Sequence, residues 1–131
     1  MAQYLLSAEA TFSAAHTLPN VPVCDRFHGH NWRVRLTVRL DARGLDDRGL
    51  GVDLRDIEQA ARECVQDFDH SYLNDLEPFR DQAPSAERIA LVVAERATAR
   101  LGRLNPAVCL EEVEVWETPQ FRVAYRPERC E

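Results

Sequence analysis

Between Trp32 and Leu40 apolar and polar residues alternate without a break: Trp32, Val34, Leu36, Val38 and Leu40 against Arg33, Arg35, Thr37 and Arg39. A period of two is the signature of a strand buried on one face only. An earlier run has the same period, with Tyr4, Leu6, Ala8, Ala10, Phe12 and Ala14 on one side and Ser7, Glu9, Thr11 and Ser13 on the other. Both runs need a cover for their apolar faces, and the middle of the chain supplies it. Asp53 is a plausible N-cap for a helix from about Leu54 to Phe68, with Leu54, Ile57, Ala61, Cys64, Val65 and Phe68 as its stripe. Pro84-Ser85 opens a second helix bearing Ala86, Ile89, Ala90, Val93, Ala97 and Leu101, and Gly102 suits its end. Two further strands, Val108 to Glu117 and Phe121 to Arg126, close the chain. The order ββααββ predicts an α+β fold: a four-stranded antiparallel sheet with both helices on one face. At 131 residues the chain, 1–131, is expected to be one domain.

The other sheet face would carry Arg33, Arg35 and Arg39, then Glu112 and Glu114, then Arg122 and Arg126. Opposite charges on adjacent strands can pair across the ladder. A solvated face and a barrel lumen shared by several subunits would look alike at this level.

Parity also places the chemistry. The chain has four histidines, His16, His28, His30 and His70. If the first strand continues without a bulge, His16 shares the face of Phe12 and Ala14, while His28 and His30 share that of Trp32 and Val34. The end of one strand and the start of its antiparallel neighbour lie at one end of the sheet, so the three imidazoles can converge beneath the helices. Three protein ligands leave one position open, which marks a catalytic rather than a structural zinc site. A cupin also begins with His-x-His, but it then wants a glutamate that Asn31-Trp32-Arg33-Val34 does not supply.

Other residues cluster around this trio in sequence. Cys24 lies four positions before His28, where a nearby cation would favour the thiolate; an ordinary loop thiol reads equally well. Asp69-His70 is either an acid/base pair or a helix-end histidine favoured by the dipole. Glu117 has the parity of Val113 and Val115 and is either a buried acceptor or a strand-end surface carboxylate.

Charge and hydropathy exclude some classes. The net charge of −6 argues against a nucleic-acid partner. No apolar run is long enough for a membrane span, and the N-terminus lacks the pattern of a signal peptide. Cys24, Cys64, Cys109 and Cys130 are widely spaced. The expectation is therefore a cytoplasmic protein with free thiols, Cys64 and Cys109 being core residues and Cys130 idle in the tail.

Five segments occur in order: Phe12-Ser13-Ala14-Ala15-His16, Cys24-x-x-x-His28-Gly29-His30-Asn31, Asp69-His70-x-x-Leu73-Asn74-Asp75, Pro84-Ser85-Ala86-Glu87 and Glu117-Thr118. Together they resemble the 6-pyruvoyltetrahydropterin synthase family, which includes the 6-carboxytetrahydropterin synthases. The resemblance implies the tunnelling fold (T-fold), with trimers whose sheets join into a barrel, trimers stacked in pairs into hexamers, and active sites at subunit interfaces. It implies zinc (Zn2+) on His16, His28 and His30, a catalytic thiol at Cys24, a proton relay at Asp69 and His70, and a pterin anchor at Glu117. The implied activity is that of a zinc-dependent lyase. It would convert 7,8-dihydroneopterin triphosphate to 6-carboxy-5,6,7,8-tetrahydropterin, acetaldehyde and triphosphate, on the route to queuosine and other deazapurines. The three-residue gap between Cys24 and His28 resembles this branch rather than the 6-pyruvoyl branch, whose members generally have a longer gap. A non-catalytic, zinc-stabilised pterin-binding module is the remaining reading, and it has no use for a thiol at Cys24. Two positions depart from the pattern. Thr17 stands where many relatives have a basic residue, leaving Arg26 to compensate in any phosphate contact, and Ser85 stands where threonine is common.

Overall fold

A computed structural model describes residues 2–128. The order is β1 (Tyr4–His16), β2 (His28–Leu40), α1 (Leu54–Val65), β3 (Ser71–Tyr72), α2 (Ala86–Leu101), β4 (Cys109–Thr118) and β5 (Phe121–Tyr125), with short 3-10 turns at Ala42–Gly44, Leu73–Asp75 and Glu77–Phe79. The fold is α+β, as the alternating runs require. The sheet, however, has five strands rather than four, in the order β3-β1-β2-β4-β5. The added strand is two residues long and parallel to the end of β1, with Ser71 opposite Ala14 and Tyr72 opposite Ala15. So short a strand has no periodicity to read.

β1 and β2 pair antiparallel over their whole length without a bulge, from Tyr4 opposite Leu40 to His16 opposite His28. The apolar row of β2 is buried from Trp32 to Leu40 and packs with Phe12, Ala10 and Ala14 of β1. α1 covers β1 with Ile57, Ala60, Ala61, Cys64 and Val65, and α2 covers β4 and β5. Asp53 and Ser85 cap the two helices by accepting from Arg55 N and Arg88 N. α1 stops at Val65, short of the expected Phe68, yet Phe68 is fully buried in the turn that follows, edge-on to Phe12. Leu54, expected in the buried stripe, is 54% exposed.

The opposite face carries the predicted charge ladder. Arg35 bonds Glu9 at 2.7 Å and Glu114 at 3.3 Å, Arg122 bonds Glu114 at 2.6 Å, and Arg126 bonds Glu112 at 2.9 Å. Trp116 lies under the guanidinium of Arg33, 3.8 Å from its ring centre. Among the described residues no helix is long and apolar enough to cross a membrane.

The expectation of free thiols needs one correction. Cys24 and Cys64 are free, and burial pushes the Cys64 thiol up to about 11, so it is an inert core residue. Cys109 is disulfide-bonded. The reading of Cys130 as idle falls outside the described residues.

Candidate active site

The unbroken register between β1 and β2 decides where the histidines go. His16 sits opposite His28, and His30 opposite Ala14, one rung nearer the core. Because side chains two apart share a face, all three rings project to the helix side of the sheet. Their centroids lie 4.5 Å (His16 to His28), 5.3 Å (His16 to His30) and 4.8 Å (His28 to His30) apart. Trp32 closes the floor, its ring edge-on to His16 and His30 and its Nε1 donating to the Ala14 carbonyl at 3.2 Å. His16 is fully buried.

Two backbone carbonyls set the tautomers. The Nδ1–H of His16 donates to the Pro84 carbonyl at 2.8 Å, and that of His28 to the Arg26 carbonyl at 2.6 Å. A ring that spends Nδ1–H on a carbonyl presents a bare Nε2 lone pair on its other side, as metal-ligating histidines do. Nothing in the side chains at positions 26 and 84 announces this role, so the sequence carries no signal for it.

Glu117, at the end of the buried row of β4, enters the same cluster. Its Oε1 lies 2.9 Å from His30 Nε2 and 3.8 Å from His16 Nε2. One donor atom from each of His16, His28, His30 and Glu117 falls within 4.8 Å of the others. His16 Nε2 and His30 Nε2 are buried without a hydrogen-bond partner, the contact to Glu117 being close but misaligned. Orphaned nitrogens of this kind are costly unless something outside the chain takes them. Two inward imidazole lone pairs, a third imidazole and a carboxylate make a donor set that fits a divalent cation.

Burial lowers the pKa of His16, against the opposing bond to Pro84, and burial likewise lowers that of His30 against the pull of Glu117. The folded chain therefore holds these rings neutral where an unfolded chain would protonate them. In metal-free protein the unfolded state binds more protons as pH falls below about 6.5, so stability is present above that pH and lost below it. The urea midpoint of chelator-treated protein should drop between about pH 7.5 and about pH 5.5. A flat midpoint across that interval would contradict the burial of neutral rings.

The other sequence-predicted residues are not in this cluster. Cys24 is half-buried in the 17–27 loop, its carbonyl accepting from Leu18 N at 2.7 Å. The residue before it, Val23, has φ 69°, left-handed backbone that a β-branched side chain rarely adopts. Asp69 and His70 do form a pair, Oδ2 to Nδ1 at 3.0 Å, and His70 is also left-handed at φ 57°. The Asp69 carboxyl is held below the usual carboxylate range, chiefly by the Ser13 backbone N–H at 2.9 Å and further by His70. The His70 side chain is 84% exposed. It lines an open depression of about 370 Å³ with Ser13, Ala15, Gly29 and Asn31.

Comparison with known proteins accords with this geometry. The family model described as 6-pyruvoyl tetrahydropterin synthase matches residues 5–128. The chain is 32% identical to the 6-carboxy-5,6,7,8-tetrahydropterin synthase of Bacillus subtilis, over 95% of this chain and 86% of that protein. It is 31% identical to the 6-pyruvoyl tetrahydrobiopterin synthase of Drosophila melanogaster, over 92% of this chain and 78% of that one. In fold it resembles the 6-pyruvoyl tetrahydropterin synthase of Caenorhabditis elegans, with a TM-score of 0.82 over 98% of both chains at 24% identity. A fold match that spans both chains, and a family match that takes in every histidine of the cluster, lead to one conclusion: the chain belongs to the 6-pyruvoyl tetrahydropterin synthase family, with the T-fold architecture.

Proposed function

We propose that this protein is a zinc-dependent 6-carboxytetrahydropterin synthase, acting on 7,8-dihydroneopterin triphosphate and serving queuosine or related deazapurine synthesis. The observation that carries the reading is the convergence of one donor atom from each of His16, His28, His30 and Glu117 within 4.8 Å, with the Nε2 atoms of His16 and His30 buried and without a hydrogen-bond partner. A chain that only needed a stable core would not bury unpartnered imidazole nitrogens there.

His16, His28 and His30 would hold the metal, which as a Lewis acid polarises the substrate's side-chain hydroxyls and acidifies the adjacent C–H bonds. Cys24, as thiolate, takes a proton from carbon. His70 moves protons to and from the side chain, with Asp69 holding its Nδ1–H so that Nε2 is the exchanging atom. Glu117 accepts two hydrogen bonds from adjacent N–H donors of the pterin, fixing the ring. Its contact with His30 is attractive only while His30 carries a proton on Nε2. The exposure of His70 supports placing the relay at a subunit interface, where it serves the substrate of a neighbouring copy in a homo-oligomer.

The 6-pyruvoyl activity is the second reading, and the Drosophila relative favours it almost as strongly by identity. The three-residue gap between Cys24 and His28 favours the 6-carboxy product. Incubation of zinc-loaded protein with 7,8-dihydroneopterin triphosphate, followed by mass spectrometry, separates the cases. We expect 6-carboxytetrahydropterin, with acetaldehyde in equal amount. A 6-pyruvoyl product would move the chain to the other branch, and absence of turnover would leave a pterin-binding module.

A further inference from the structure

The loop that carries Cys24 is closed on itself. Leu18 N donates to Cys24 O at 2.7 Å, Val21 N to Leu18 O at 3.3 Å, Asp25 N to Val21 O at 2.8 Å and Arg26 N to Val23 O at 3.2 Å. Such a loop can hold its own shape and still swing as a body about its two ends. Among the described residues, the hydrogen bonds that tie residues 17–27 to the segment after α1 all run through Thr17. Thr17 N donates to Asn74 Oδ1 at 2.9 Å, Asn74 Nδ2 donates back to Thr17 O at 3.0 Å, and the Thr17 hydroxyl meets the Tyr72 hydroxyl at 2.9 Å. At the far end of the loop the Phe27 ring packs on the Tyr72 ring, with centroids 5.1 Å apart.

The Asn74 amide supplies both the acceptor and the donor that a neighbouring strand would offer Thr17. It extends the pairing of β3 with β1 by one rung after that strand has ended. The seam is continuous: His70 N to Ser13 O, Ser71 beside Ala14, Tyr72 beside Ala15, then Asn74 to Thr17. It begins at Asp69-His70 and ends where the Cys24 loop departs from His16.

We propose that Asn74 and Tyr72 are positioning residues that fix the Cys24 loop at both ends and so set where the thiol stands relative to the histidine cluster. Asn74 locks the loop's first residue through both of its backbone groups, and Tyr72 bridges the first residue to Phe27. Neither touches the histidine rings, so their loss leaves the metal ligands in place. The inference rests on the reading of Cys24 as the proton-abstracting thiol. A thiol displaced by an ångström costs on the order of 10- to 100-fold in rate, and a second set of side chains commonly supplies that precision.

The test uses the full chain, zinc-loaded, with Asn74→Ala, Tyr72→Phe and Asn74→Asp. Two quantities are read: kcat and KM with 7,8-dihydroneopterin triphosphate, and the rate at which iodoacetamide alkylates the Cys24 peptide, followed by mass spectrometry. Asn74→Ala should keep its zinc and its assembly while kcat falls about 10- to 100-fold and KM changes little. Cys24 should alkylate several times faster. Tyr72→Phe, which removes one hydroxyl, should show the same changes to a lesser degree. Asn74→Asp keeps the acceptor for Thr17 N–H but not the donor to Thr17 O, and should fall between wild type and Asn74→Ala. A strap that only stabilised the fold would lower Tm and leave kcat and the alkylation rate of the folded enzyme unchanged. Wild-type kcat in both Asn74→Ala and Tyr72→Phe overturns the inference, as does a wild-type alkylation rate in both. A fully active Cys24→Ala enzyme would instead remove the catalytic reading of the thiol. The alkylation rate, which needs no turnover, would still decide whether residues 72 and 74 hold the loop.

Discussion

His28→Ala should yield a folded protein that purifies without metal and has no measurable turnover. His28 is the ligand to remove because its side chain is only half-buried at the first rung of β2. Alanine there leaves the strand's register and the floor of Trp32 intact. His16→Ala is a poorer probe: that ring is fully buried against Trp32, with centroids 5.0 Å apart, so its loss opens a cavity and orphans the Pro84 carbonyl. A three-histidine site has no ligand to spare. Loss of an outer hydrogen-bond partner alone costs about 10- to 100-fold in metal affinity, and loss of a ligand costs more. Elemental analysis after dialysis against a weak chelator, with circular dichroism to verify the fold, decides the matter. Stoichiometric metal in the variant would mean that the cluster of His16, His28, His30 and Glu117 is not the binding site.

That cluster was readable from sequence because its geometry depends on a single condition, an unbulged pairing of β1 with β2. The period-two runs ending in Ala14 and starting at Trp32 make the parity argument, and the register of His16 opposite His28 meets the condition. On the other side of β2 the same argument is weaker. The pairing with β4 shifts between Thr37 and Val38, and that of β4 with β5 shifts between Trp116 and Thr118. Glu117 falls inside that second irregularity, between Trp116 and Thr118, yet its carboxylate still reaches the histidines, 2.9 Å from His30 Nε2. What escaped the sequence was structure with no period. β3 spans two residues, the left-handed turn at His70 has no glycine to advertise it, and the orienting groups at Arg26 and Pro84 are carbonyls that every residue carries. The disulfide at Cys109 escaped for another reason: spacing along the chain does not say which thiols meet in space.

Cys24→Ala should keep zinc and assembly and lose turnover by on the order of 10²- to 10⁴-fold, the range expected when a positioned proton-transfer group is removed. His70→Ala should fall in the same range, for the same reason. The informative experiment mixes the two inactive variants, dissociates them and lets them reassemble together. If Cys24 and His70 of one chain served the same substrate, every site in the mixture would lack one group, and activity would stay at the level of the parents. If His70 serves the neighbouring copy's site, as its 84% exposed side chain suggests, mixed assemblies contain some sites with both groups intact. With equal amounts and random assembly, about one site in four draws its thiol and its relay from the two complementary chains. Recovery to about a quarter of wild-type activity is therefore the expected result. Full activity in Cys24→Ala alone would remove the thiol from the mechanism. Inactive parents with no recovery on mixing would place the relay and the thiol on one chain, and the relay would then have to reach its own chain's histidine cluster by a movement of the exposed His70 ring.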